Sequence, residues 1–365
     1  MVERPFRRRV GWTACLLSCI VLGGLAPARG VSEPDPIPQA LDQYSHGQFE
    51  SAVVALTARA DYRELLRRYA DRAAGWTASA PPGERPRRQH IGIALATELV
   101  AESVDGTFTD YTRARPLIEW ACNHLGRQAP SEFERWVHLA SVAILDGAGD
   151  QDLLGTMDRS APRQGHLHHA ATRFPDDDRF QLARVIARRE ARIISARPIS
   201  PSTLLGLGAY AIAERGAPRL QDTFKLLSEL DGPLVRDEAR LRRGVLRFLI
   251  GQTGEAWQDL ALASDSTDPF VAFLANMALG AIYDRTGEDA AAVARYSRAV
   301  RITTATSAEL GLAAALFRQG RADEAADLTT RWVGGIRVED PWRIYGLGMF
   351  HYLPSYLTSM REASR

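Results

Sequence analysis

The sequence has little cysteine. It holds three cysteines in 365 residues, and two of them, Cys15 and Cys19, lie in an apolar N-terminal stretch with the composition of a targeting segment. Removal of that stretch leaves only Cys122, which excludes an internal disulfide in the rest of the chain. A nucleophilic cysteine needs a histidine and an orienting group, and the sequence places neither beside Cys122. We therefore interpret Cys122 as a small buried apolar residue.

Lysine is almost absent, and the charges balance. The one lysine is Lys225, and 45 basic residues against 44 acidic ones give a formal net charge of +1. Removing residues 1–28 takes away four arginines and Glu3, which changes the net charge from +1 to −2. A near-neutral chain without a long basic run has no electrostatic footprint for nucleic acid. We therefore expect no nucleic-acid partner.

Strand signals are also missing. Runs of alternating apolar and polar residues are absent, and no Asn-Gly or Asp-Gly turn separates such runs. The recurring pattern is the 3.6-residue helical period, in segments of ten to twenty residues separated by Gly, Pro and Asp. The sequence thus predicts an all-α protein. The predicted helices include Tyr62–Ser79, Gln89–Val104, Tyr111–Arg127, Ser131–Leu145 and Phe180–Ser195.

The first thirty residues predict export. Arginines at positions 4 and 7–9 precede an apolar stretch from Val10 to Leu25, which ends in small residues. This is the order of a cleaved signal peptide, with cleavage after Ala28 or Gly30. The stretch of roughly sixteen residues is short for a membrane span, which needs about 20. We expect a periplasmic or secreted protein; retention of the segment as an inner-membrane anchor is the alternative.

The second half of the chain repeats itself. Small residues at the starts of four helices recur at intervals of 36, 36 and 33 residues, namely Gly208, Gly244, Gly280 and Ala313. Each is followed by a turn glycine, Gly216, Gly251, Gly287 or Gly320, and the last three of these by Ala256, Ala292 or Ala325. Two helices approach closely only where neither carries a bulky side chain, and glycine closes the turn between them. A period of this length indicates stacked helix pairs.

One unit carries a specific resemblance. Leu279-Gly280-Ala281-Ile282-Tyr283, followed by Gly287, Ala292, Tyr296 and Ala299, resembles a tetratricopeptide repeat, although Asn276 and Thr304 replace the usual Trp and Pro. The resemblance is strong over residues 237–335 and suggestive at 36–58 and 165–236. It implies a right-handed α-solenoid of antiparallel helix pairs. The predicted organisation is a signal peptide (1–30), an N-terminal helical region with one repeat-like unit (31–160), a repeat array (161–336) and an aromatic capping helix (337–365).

The resemblance also implies a function and a surface. Proteins of this family bind a protein or peptide in the concave groove formed by the first helix of each pair, which implies a non-catalytic exported scaffold without a cofactor. A membrane contact is expected only if the signal segment is retained. Carried over by position, the partner-binding residues are Glu238, Leu241, Phe248, Met277, Asp284, Arg285, Leu310, Phe317 and Arg318.

Three motifs are candidates for other chemistry. His166 and His169 are three residues apart and share a helix face, but no third ligand follows at a recognisable spacing, so we predict no metal site. Residues 206–211 match the residue pattern of a dinucleotide-binding loop. Such a loop follows a β-strand, and no strand precedes these residues, so we interpret the match as accidental. The alternative function is a cell-wall hydrolase with its site in residues 60–160. Its candidate residues would be Glu102, Glu119, Trp120 and Trp136.

Overall fold

Helices and the turns between them make up the described part of the chain. A computed structural model describes residues 35–106, 111–126, 130–155, 165–185, 224–232, 235–334, 340–341 and 349–365, and in these ranges there is no β-strand. The all-α prediction is therefore confirmed. Within the same ranges, no helix is both long and apolar enough to cross a membrane. Residues 1–30, Gly208, Gly216 and the 206–211 motif lie outside the described residues.

Nine helices form the N-terminal part of the described chain. They are α1 (Pro36–Ser45), α2 (Phe49–Thr57), α3 (Tyr62–Ala78), α4 (Arg85–Gly106), α5 (Tyr111–Asn123), α6 (Glu132–Gly147), the short α7 (Gln151–Leu154), α8 (His166–Arg173) and α9 (Asp178–Val185). Helix α4 begins four residues before the predicted Gln89, with Pro86 in its first turn. Proline is tolerated there because the first backbone N–H groups of a helix have no intrahelical acceptor.

Helix α6 lies at the centre of the first hydrophobic core. Ser131 caps its N-terminus by accepting a hydrogen bond from the backbone N–H of Glu134 at 3.2 Å. Most of its residues from Phe133 onward are buried. Helices α4, α5, α8 and α9 pack around it. A helix buried on nearly every side requires neighbours from distant parts of the chain, because its sequence neighbours cover only one or two faces.

The C-terminal helix is one of those neighbours. Helix α16 (Leu353–Ala363), preceded by a 3₁₀ turn at Phe350–Tyr352, packs on α6 and α4. Its side chains Leu353, Tyr356 and Met360 are buried in the first core. The aromatic sequence of this segment predicts a helix that caps the last repeat. In the described part of this segment, Asp340 contacts the start of that unit by accepting hydrogen bonds from Ser307 N–H and Oγ. The apolar face of α16 is instead covered by the N-terminal helices.

Six helices in sequence form the second core. They are α10 (Arg236–Leu249), α11 (Thr253–Ala263), α12 (Pro269–Thr286), α13 (Asp289–Ile302), α14 (Thr306–Arg318) and α15 (Ala322–Gly334). Each packs against the next, and the first helix of each pair also packs against the first helix of the following pair. Glycines 251, 287 and 320 adopt positive φ angles between +75° and +86° at the turns within the pairs. This backbone conformation favours glycine, because a Cβ would clash with the chain.

The helices of a pair approach closely at glycine. A Cβ atom at Gly280 would lie 2.6 Å from the ring of Tyr296, and one at Gly244 would lie 2.7 Å from Leu260. Gly311 of α14 meets the same Tyr296 ring from the other side, where a Cβ atom would lie 2.8 Å from the ring. The ring of Tyr296 therefore fills a slot between two pairs that only glycine leaves open.

The two cores meet on α10. Its residues Ala239 and Leu246 belong to the first core, whereas Leu241, Val245 and Phe248 belong to the second. The domain boundary predicted at residue 160 lies within the span of the first core. A helix that is apolar on two faces joins two cores without a linker.

Candidate functional site

Four of the predicted partner-binding residues are interior. Glu238, Leu241, Phe248 and Met277 each expose at most 1% of their surface. Glu238 accepts hydrogen bonds from Arg242 (2.7 Å) and from the hydroxyl of Tyr352 (3.2 Å). We correct the prediction for these four residues, because side chains enclosed by the cores do not contact a partner in this conformation. The prediction used only the position of each residue within its repeat, and that position does not show which neighbouring helix covers the side chain.

The other predicted residues lie at the surface, at one end of α12 and along α14. Phe317 is 67% exposed and Leu310 is 42% exposed. Leu310, Ala314 and Phe317 are spaced by four and three residues, so they share one face of α14. Arg285 is exposed at the end of α12. We name these four residues the α12/α14 face.

An ion-pair network borders the α12/α14 face. Arg318 donates to Asp284 and, at 2.6 Å, to Asp289. The Tyr296 hydroxyl also donates to Asp284 at 2.6 Å, and burial together with this carboxylate raises the Tyr296 pKa. Because Arg318 joins the ends of α12 and α14, their residues Arg285 and Phe317 lie at the same end of the two helices.

The charge of Arg318 is satisfied internally, but that of Arg285 is not. Hydrogen bonding to Asp289 is the largest of the effects that raise the pKa of Arg318. Arg285 has no carboxylate partner within the described ranges, and its guanidinium lies 5.1 Å from the ring centroid of Phe248. Arg285 is exposed, so its charge is accessible to a ligand. Arg285 is therefore the cation on this face that is available to an external carboxylate.

The residues of the alternative, a cell-wall hydrolase, lie on α4, α5 and α6. Glu119 pairs with Arg115 at 3.0 Å. The ring of Trp120 packs edge-on against Tyr69, and Trp136 lies beneath the guanidinium of Arg179 at 4.5 Å. Glu102 is half-buried on α4. Three of these side chains are thus held in structural contacts.

One cluster was missed by sequence reasoning. His138 and His166 lie beside Cys122, whose sulfur is 4.0 Å from His166 Nε2. The sequence by itself placed no histidine beside Cys122, whereas the structure places His166 and His138 there. The three residues come from three helices and are separated by up to 44 positions, so no motif spacing connects them. The available signal was His138, a histidine on the apolar face of the predicted helix Ser131–Leu145.

No protein-family model matches the chain, and no curated protein matches it. The resemblance to tetratricopeptide repeats therefore stays a prediction that rests on the residues of the repeat units.

Proposed function

We propose that the protein is an exported, non-catalytic scaffold of tetratricopeptide type. In this proposal the helix pairs α10–α15 stack as a right-handed solenoid, and the α12/α14 face binds a protein or peptide partner. The observation that carries the proposal is Phe317, a large aromatic side chain that is 67% exposed on the first helix of a pair. Stacked helix pairs commonly bind partners through the surface of their first helices. The step from architecture to function is an analogy of fold.

The exposed apolar side chains suit the role of anchors. Burying a Phe side chain contributes about 1.5–3 kcal/mol, and aromatic anchors are frequent among the few residues that dominate an interface. Leu310, two turns away on α14, extends the same apolar stripe. A partner segment that covers both residues would bury a continuous apolar surface.

The charge of the face indicates the chemistry of the partner. Arg285 lies at the end of α12 and has its charge available, whereas Arg318 is paired with Asp284 and Asp289. A segment with apolar side chains and at least one carboxylate would satisfy both the stripe and Arg285. We therefore propose that the partner is an apolar, acidic peptide segment of a protein in the cell envelope and not a nucleic acid.

The proposed location is the periplasm or the exterior, after cleavage of residues 1–30. The support is the order of arginines, apolar stretch and small residues at the N-terminus. N-terminal sequencing of the protein purified from cells tests this directly. A first residue at 29 or 31 is expected, whereas an intact N-terminus would favour the membrane-anchored alternative.

Site-specific crosslinking tests the partner surface. A photo-reactive phenylalanine analogue replaces Phe317 in one strain and Leu262 in a control strain. Leu262 is also an exposed apolar residue (56%), but it lies on α11, the second helix of its pair. We expect a defined crosslinked protein from position 317 and not from position 262. The crosslinked segment is then mapped by mass spectrometry and synthesised as a peptide.

Binding of that peptide to purified variants completes the test. Phe317→Asp is expected to weaken binding at least about tenfold, which corresponds to about 1.4 kcal/mol, while Leu262→Asp leaves it unchanged. Arg285→Glu should weaken binding and reduce its dependence on salt. Equal crosslinking from both positions, or a peptide affinity unaffected by Phe317→Asp, would place the binding surface elsewhere and contradict the proposal.

A further inference from the structure

A cluster of metal-ligating side chains lies where α5, α6 and α8 meet. Cys122 comes from the last turn of α5, His138 from the middle of α6 and His166 from the start of α8. His138 Nδ1 is 3.3 Å from His166 Nε2, and Cys122 Sγ is 4.0 Å from the same Nε2. One ligand atom from each residue lies within 4.8 Å of the other two.

These separations are close to those around a bound metal ion. In tetrahedral zinc sites the metal–nitrogen distance is about 2.0 Å and the metal–sulfur distance about 2.3 Å, so neighbouring ligand atoms are about 3.3–3.6 Å apart. The two histidine nitrogens already have this separation. The cysteine sulfur would need to move by about half an ångström toward His166 and by up to about 1.2 Å toward His138, because the three ligand atoms lie within 4.8 Å of one another.

A carboxylate supports the buried histidine from its other side. His138 Nε2 is 3.7 Å from Glu134 Oε1, and Glu134 is held by two hydrogen bonds from Arg173, at 2.9 and 3.1 Å. Nε2 is buried and has no hydrogen-bond partner in the described ranges. Metal-binding histidines commonly donate their second ring N–H to a carboxylate, which fixes the ring and its tautomer. Glu134 occupies that position for a metal bound at Nδ1.

The charges around the cluster suit neutral histidine ligands. Burial lowers the pKa of both His138 and His166, so each imidazole is neutral at pH 7 and has a lone pair to donate. Although burial alone would raise the pKa of Glu134, its interactions with His138 and Arg173 lower it to about 2. Burial raises the pKa of the Cys122 thiol to about 12, which makes it a neutral thiol without a metal.

We propose that Cys122, His138 and His166 bind a single transition-metal ion, either Zn²⁺ or copper. One thiolate with two imidazoles is a ligand set that both metals accept, and three protein ligands leave a coordination position for water or an external ligand. On binding, the Cys122 thiol releases its proton to solvent and the sulfur bonds to the metal, while both imidazoles coordinate through neutral nitrogens. The site is separate from the α12/α14 face and does not depend on the proposed scaffold function.

Metal titration of the purified full chain tests the proposal. After removal of metals with a chelator, Co²⁺ is added as a spectroscopic substitute for Zn²⁺. We expect one equivalent to bind and to produce a sulfur-to-cobalt charge-transfer band and the intense visible bands of tetrahedral coordination. Displacement of Co²⁺ by Zn²⁺ would identify a zinc site. A thiolate-to-copper charge-transfer band with Cu²⁺, at higher affinity than Zn²⁺, would identify a copper site.

Four variants make the assignment specific. Cys122→Ser should abolish the charge-transfer band, and His166→Gln should weaken binding strongly. His168→Gln, on the same helix but outside the three clustered ligands, is the matched control and should bind as the wild type. Glu134→Gln should weaken binding about 10–100-fold, as expected for a supporting carboxylate. Far-ultraviolet circular dichroism of each variant shows that the helices are intact.

Two outcomes would overturn the proposal. One is a folded wild-type protein that binds neither Co²⁺, Zn²⁺ nor copper more tightly than the Cys122→Ser variant. The other is binding without a sulfur charge-transfer band that His168→Gln weakens as much as His166→Gln, because this would indicate an adventitious surface site.

Discussion

The two hydrophobic cores are built in different ways. In the second core, consecutive helices pack on each other, and its contacts join residues close in sequence, such as Gly280 with Tyr296. The first core brings together residues that are far apart in the sequence. Arg361 donates a hydrogen bond to Glu98 across 263 residues, and the N–H of Met349 donates one to Asp146 across 203 residues. The comparison shows that one protein contains both a core assembled locally and a core that requires its C-terminus.

The buried polar groups follow the same division. In the first core the Glu98 carboxylate accepts hydrogen bonds from Tyr44 (2.5 Å) and from Arg361 (2.8 and 2.5 Å). In the second core Asp259 binds Arg243 and Arg247, which are 16 and 12 residues away. A mutation in the first core should therefore affect distant helices, whereas a mutation in the second should act on one pair and its neighbours.

The largest effect is expected from Arg361→Ala. This change leaves the Glu98 carboxylate, which is 3% exposed, without its cation. An uncompensated buried charge costs about 3–5 kcal/mol of unfolding free energy. Arg365→Ala is the matched control, because both guanidiniums lie 5.4 Å from the Phe49 ring but only Arg361 bonds to Glu98. Chemical denaturation of both variants measures the difference.

Hydrogen exchange locates that effect. Protection should fall in α4, α6 and α16 of Arg361→Ala, and less in α12 and α13. A uniform loss over all helices would instead show that the two cores unfold as one unit. An Arg361→Ala variant as stable as Arg365→Ala would show that the Glu98 pair contributes nothing to the first core.

A smaller, pH-dependent effect is expected from Glu238→Gln, where the two cores meet. Although burial alone would raise the Glu238 pKa, Arg242, His351 and Tyr352 lower it below 4.5. The stability from this ionised carboxylate is complete above the unfolded pKa near 4.5 and is lost as pH falls through the lower folded value. At pH 7 we expect the variant to be less stable by about 2 kcal/mol, since a hydrogen-bonded charge is removed.

The pH dependence separates this effect from a packing defect. The difference in unfolding free energy between wild type and Glu238→Gln should shrink as the pH falls from about 4.5, where the carboxylate of the unfolded state takes up a proton, toward the lower pKa of the folded state. Denaturation curves at neutral and acidic pH measure it. A difference that stays constant with pH would assign the loss to packing rather than to charge.

The smallest of the three effects is expected from Gly280→Ala, within one helix pair. The added methyl group would lie 2.6 Å from the Tyr296 ring, which is held by its hydrogen bond to Asp284. Overpacking of this kind costs about 1–2 kcal/mol. In Gly254→Ala the new Cβ meets no atom within 4 Å, and the higher helix propensity of alanine should leave stability unchanged or slightly raised. Equal melting temperatures for the two variants would contradict the close approach at Gly280.

Sequence patterns were sufficient to predict helices and turns, whose contacts join residues close in the sequence. The helical period predicted α3, α5 and α6 to within a few residues, and turn glycines such as Gly287 mark the ends of helices. These features depend on backbone conformation and on neighbours less than 40 residues away. The burial of Met277 and Phe248 escaped the same reasoning, because a position within a repeat does not specify which other helix covers it.

By itself, the sequence determined that the described chain is helical and where most of its helices lie. It also determined which small residues form the turns within the helix pairs. The 3.6-residue period and the conformational freedom of glycine are properties of short segments, so they can be recognised in the sequence without a structure. Only the tertiary structure decided that α16 covers α6 and that His138 and His166 stand beside Cys122. Those contacts arise because α6 is buried on nearly every side, and the segments that enclose it come from distant parts of the chain.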